Sequence, residues 1–154
     1  MSMIKPFLGT ASLLALAAGV LGSQMMMGPG MMRNPARHRY AMMHGIPAPY
    51  GNLRNPLPQD RATVDRGAIV YGQNCAACHG ADGTGDGPAG RSLSPPPADL
   101  AQLARMPMAS DAYLYWTIAE GGTPVGSAMP AYREVLSRHD IWSVIVYMRA
   151  GLAR

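Results

Sequence analysis

The chain has 154 residues, enough for one modest domain with appendages. Only 14% of them are charged, and 14 prolines and 18 glycines point to long loops. The net charge of +4 is uneven: residues 24–59 hold four arginines and no acid, whereas residues 60–154 hold eight arginines against nine acids, or −1. No basic stripe lies on that larger part, which argues against nucleic-acid binding.

In chain order, residues 1–23 read as an export signal: Lys5 gives a positive start, Phe7 to Leu21 is apolar, and Gly19, Gly22 and Ser23 are small. Uncleaved, the charge-free stretch through residues 6–22 would serve as a membrane tether, since about 20 apolar residues span a bilayer. No cysteine stands at this point to take a lipid.

Residues 24–59 are predicted to form an irregular tail. Seven of the 13 methionines fall between Met25 and Met43, and Pro29, Pro35, Pro47, Pro49, Pro56 and Pro58 interrupt any regular period. Arg37, His38, Arg39, Tyr40, Met42, Met43 and His44 suit a linker, a strap that docks on a larger complex, or a soft Cu(I) site.

Residues 60–154 are expected to form an all-α domain with three main helices and long loops. The first helix spans residues 60–74, with Val64, Ala68, Tyr71 and Cys75 on one stripe. The second spans 111–120, capped by Ser110 or Asp111 and ended by Gly121 and Gly122. The third spans 138–150, with Ser137 and Asp140 at capping-box spacing and Ile141, Ile145, Met148 and Leu152 as its apolar stripe. No strand alternation is visible.

The only two cysteines lie in Cys75-Ala76-Ala77-Cys78-His79. Two thiols at this spacing can add to the two vinyl groups of one haem, and the histidine that follows is held under the porphyrin as an axial ligand. A thioredoxin-like dithiol needs a strand-to-helix setting, whereas this motif closes a helix. A structural zinc site needs four ligands, and the remaining histidines, His38, His44 and His139, are poorly spaced for it. The pattern therefore predicts one covalent haem c on Cys75 and Cys78 with His79 on the iron.

A second axial ligand is sought among the methionines beyond the motif. Met129 lies in a loop 50 positions after His79, followed by Pro130, and is the preferred candidate. Met106, also followed by a proline, is its rival, and Met148 falls on the apolar stripe of the last helix.

Taken together, residues 60–152 resemble the class I monohaem cytochromes c, specifically the cytochrome c domain of the cbb3-oxidase subunit III type. The resemblance rests on Gly67 to Tyr71 ahead of the motif, Gly83 to Gly90, Leu93, Pro96 to Leu100, Met129-Pro130, and Trp142 and Tyr147 in the last helix. It implies a cytochrome c fold in which first and last helices cross at Gly67, Tyr71 and Tyr147. It also implies that a proline carbonyl, matched by Pro88, accepts from His79, and it makes Arg91, Tyr115 and Trp116 candidates for propionate contacts in the haem environment. The expected function is single-electron transfer between a redox-protein donor and acceptor, not catalysis. The expected place is the periplasm, with the chain free or held at the outer face of the bacterial inner membrane. Alternatives are a cytochrome c subunit of a membrane-bound dehydrogenase or oxidase complex, docked by residues 24–59, and a Met-rich copper-binding protein that carries a haem.

Overall fold

The computed structural model describes residues 35–152. The export-signal segment 1–23 and the methionines up to Met32 lie outside the described residues. Six α-helices follow in order: α1 (Pro35–His44), α2 (Arg61–Asn74), α3 (Ala76–His79), α4 (Leu100–Leu103), α5 (Asp111–Glu120) and α6 (Arg138–Arg149). The described residues contain no β-strand.

Each long helix of the domain starts where a short polar side chain satisfies an orphan backbone donor. Asp60 accepts from the Thr63 amide at 2.9 Å, Ser110 from Tyr113 at 3.2 Å and Ser137 from Asp140 at 3.1 Å. Gly121, at φ +62°, ends α5 in a conformation that side chains avoid.

The first and last of these helices meet at Gly67. A Cβ there would stand 2.1 Å from the Ser143 carbonyl oxygen and 2.7 Å from the Tyr147 Cβ, so only glycine lets the backbones come this close. This contact rotates α2 by one position from the expected stripe. Thr63, Gly67, Val70 and Tyr71 are buried, while Val64 and Ala68 are half-buried. The stripe of α6 is as expected, with Ile141, Ile145, Met148 and Leu152 all 4% exposed or less. Tyr71 and Tyr147 extend the crossing with ring centroids 5.5 Å apart.

Helix α5 is buried nearly all round, from Ala112 to Trp116 and at Ile118 and Ala119. Its cover includes residues 35–59, which differ from the irregular tail expected there. The prolines at 47, 49, 56 and 58 all follow Gly45, so nothing interrupts a helix between Pro35 and His44. Pro35 stands at the first helical position, where no amide hydrogen is needed, and Gly45 closes the helix at φ +74° with its amide on Ala41 O at 2.9 Å. Beyond it the chain forms a strap whose Ile46, Tyr50, Leu53 and Leu57 pack on the core. Asn55 ties the strap to α5 and α6, its amide donating to Asp111 at 2.9 Å and its side chain to Trp142 O at 3.1 Å.

Tyr50 adds a third tie by donating to Glu120, which Arg133 also holds at 2.7 Å. The Tyr50 hydrogen bond, and then Arg133, lower the Glu120 pKa from its ordinary 4.5. A carboxylate lowered in this way stabilises the fold fully above its unfolded pKa and loses that contribution as pH falls through the folded value. Acid titration of stability by circular dichroism is expected to show a shallower loss below pH 4.5 in Glu120→Gln than in the parent chain. Gly67→Ala is expected to cost about 3 kcal/mol or more in urea unfolding. Gly72→Ala, on the same helix but facing open space, is expected to stabilise it by about 0.5–1 kcal/mol.

Candidate haem site

The Cys75–His79 motif leaves the end of α2 through a sharp change of backbone. Cys75 has φ −120° and ψ −39°, and one short turn, α3, carries Cys78 and His79 before Gly80 stops it at φ +80°. The Cys75 amide still bonds to Tyr71 O at 2.8 Å, and the Tyr71 hydroxyl donates to Gly80 O at 2.8 Å. One residue of the α2–α6 crossing thus grips both ends of the motif.

The glycine-rich loop then wraps the motif. A Cβ on Gly87 would meet Ala77 O at 2.5 Å and the Cys78 carbonyl carbon at 2.6 Å, and one on Gly90 would meet Cys78 O at 2.6 Å. The loop closes when the Leu100 amide donates to Gly83 O at 2.7 Å. This fold-back brings Ala98 O to 3.0 Å from His79 Nδ1. A carbonyl can only accept, so Nδ1 carries the hydrogen and Nε2 keeps its lone pair for a metal. Burial lowers the His79 pKa, opposed by the bond to Ala98, and so favours the neutral ring.

Both cysteine thiols are free. Burial, with the neighbouring Cys78 adding to it, pushes the Cys75 thiol up to about 11. A redox dithiol uses a lowered pKa, so the environment runs against thioredoxin-like chemistry.

The opposite wall comes from residues 121–132. Gly122 donates to Met129 O at 2.8 Å, and a Cβ on Gly121 would meet the Pro130 carbonyl carbon at 2.4 Å. The two glycines that end α5 therefore also seat the methionine loop. The Tyr132 hydroxyl donates to Asn74 O at 2.7 Å, which links that loop to the residue before Cys75.

Between the walls lies a cavity with about 1190 Å³ of empty space, part of it open to solvent. Cys75, Cys78, His79 and Met129 all line it, as do Met106 and Met108. The remaining expected residues lie elsewhere. Pro88 is exposed, and the carbonyl bonded to His79 is that of Ala98, because the loop runs a further turn before folding back. Arg91 is exposed and away from the cavity wall. Tyr115 faces Trp142, at 4.4 Å between ring centroids, and Tyr50 at 6.1 Å. Trp116 is overlaid by the Arg37 guanidinium at 4.3 Å, and it is Arg37 that reaches the cavity. His38 lines the cavity as well. Their signal in the sequence was the pairing of Pro35 with Gly45; a backbone acceptor such as Ala98 leaves none. Among the described residues, the tail's soft ligands do not converge: His38 faces the cavity, whereas Met42 and Met43 are 73% and 69% exposed.

Residues 62–148, over half of the chain, match the family described as cytochrome c oxidase, cbb3-type, subunit III. The chain belongs to this family. A curated relative, the cbb3-type cytochrome c oxidase subunit CcoP of Azospirillum brasilense, is 34% identical over 94 residues. Those residues are 61% of this chain and 30% of the relative, so the cytochrome chain spans about a third of that protein's length. Among solved structures, a chain of the reducing HAO-like protein complex of Kuenenia stuttgartiensis shares the fold at a TM-score of 0.54 and 23% identity, over 74% of this chain and 55% of that one. Cytochrome cL of Methylophaga aminisulfidivorans superposes at 0.45 and 20% identity, over 76% and 68% of the two chains, which is too distant to carry an argument.

The family implies haem c, and the residues of the cytochrome domain fit it. Two free thiols, an imidazole with its lone pair available and a cavity whose lining includes Met106, Met108 and Met129 match what a covalent haem requires. Gly87→Ala is expected to displace the backbone of Ala77 and Cys78 and lower stability by about 2–3 kcal/mol. It should also reduce the yield of covalent haem, measured by haem staining after denaturing electrophoresis.

Proposed function

We propose that the chain is a single-electron carrier that holds one haem c. In this reading Cys75 and Cys78 form the thioethers, and His79 and Met129 are the axial ligands. The observation that carries it is the meeting of all four residues at one cavity, with His79 Nδ1 fixed on Ala98 O. Bound there, the haem iron supplies a one-electron Fe(III)/Fe(II) couple. The chain's own residues hold and shield that couple. The Ala98 carbonyl orients the imidazole and strengthens it as a donor, and Met129 would fill the remaining position and raise the potential. Leu93, Pro97, Leu103 and Val125 line the cavity with apolar surface that excludes water. Met129 is preferred over Met106 because its loop is tied back to the motif, by Tyr132 on Asn74 O, whereas the backbone bonds of Met106 reach only Leu103 and Ala109.

The site of action would be the periplasm, with residues 1–23 as export signal or anchor and redox proteins as donor and acceptor. A second reading, a cytochrome subunit working inside a respiratory oxidase, is favoured by the relative that is itself an oxidase subunit. No helix among the described residues is long and apolar enough to cross a membrane, so a membrane tether would have to come from outside them.

Met129→Ala is expected to convert a low-spin ferric spectrum to a high-spin one, while Met106→Ala leaves it low-spin. The reverse result would assign the ligand to Met106. Cys75→Ser is expected to leave the haem on a single thioether, visible as a shifted α-band in the pyridine haemochrome; an unshifted band would count against attachment at Cys75.

A further inference from the structure

Two buried polar atoms among the described residues have no partner: Arg37 Nη1 and His38 Nδ1. They are neighbours on α1, and both residues line the cavity. The Arg37 side chain is well held. It is 6% exposed, its Nη2 donates to Gly121 O, and its plane lies over Trp116 at 4.3 Å. A guanidinium stripped of water needs a counter-charge, and an unmatched one is costly. The nearest acid whose charge reaches it, Glu120, is already engaged by Tyr50 and Arg133. The helix thus delivers a fixed cation with one unpartnered nitrogen, and a second such nitrogen on His38, to the wall of a cavity whose one lining acid, Asp99, caps α4.

We infer that Arg37 and His38 bind a propionate carboxylate of the haem, making α1 a wall of the haem pocket and part of what sets its potential. This rests on the haem reading above. A carboxylate is the anion such a cofactor brings, and Arg presents donors in the fork that matches it. Trp116 and Gly121 act as positioning groups: one supports the face of the guanidinium and the other takes its second nitrogen. The +4 charge of residues 24–59 then has a use inside the fold, since one of those four arginines is buried at the cofactor. A cation beside the haem favours the reduced iron, which carries one positive charge fewer.

The test uses the full chain with its haem attached and two readouts, the midpoint potential by spectroelectrochemistry and the propionate-bending bands by resonance Raman. Arg37→Leu is expected to lower the reduced-to-oxidised equilibrium constant about tenfold, ~59 mV for one electron, and to shift the propionate bands. Arg39→Leu, on the exposed side of the same helix, is expected to change neither. Arg37→Lys keeps the charge without the fork and guards against poor folding of the leucine variant; it should hold most of the potential and still shift the bands. Parental potential and unshifted bands in both Arg37 variants, with haem fully attached, would overturn the inference and leave the haem reading intact. A parent chain with no covalent haem would overturn the haem reading itself.

Discussion

The Ser143 carbonyl on α6 stands where the first side-chain carbon of any residue but glycine at position 67 would have to go. Because that contact is backbone against backbone, it allows little sliding, and it fixes where α2 ends relative to the rest of the domain. Tyr71, one turn further on, carries the constraint to the site by holding the Cys75 amide with its carbonyl and Gly80 with its hydroxyl. A protein that must keep a ligand set in register has reason to build it on such a rigid contact.

The opposite wall is built differently. Its precision comes from glycines that admit close neighbours. Gly121 lies against the Pro130 backbone and Gly122 against the Ser127 hydroxyl, as Gly87 and Gly90 lie against the motif. Tyr132 then ties this wall to Asn74, the last residue of α2. Both proposed axial ligands are thereby referred to one helix end, and the cavity between them keeps its shape through short backbone contacts and few long side chains.

The segment before the domain is the least conventional part. Its helix and strap cover α5, whose almost wholly buried surface would otherwise leave Tyr115 and Trp116 in water. The same cover carries a buried cation to the cavity. Covering an apolar helix and placing a charge make different demands on a sequence, and α1 meets both because Arg37 turns inward while Arg39, Met42 and Met43 stay outside.

Local chemistry was legible in the order of residues. Ser110, Ser137, Gly121 and the apolar stripe of α6 name their own roles, because capping and helical periodicity depend on residues within a turn or two. The Cys75–His79 pattern likewise states its chemistry over five residues. What only the tertiary structure decided was which distant atoms lie opposite one another: Ala98 O, and not Pro88, on His79; Arg37, and not Arg91, at the cavity; Tyr115 and Trp116 turned to other partners. The physical reason is common to all of them. A backbone carbonyl looks alike at every position, and an arginine's reach depends on the surface beneath its helix, so neither leaves a mark in the order of residues.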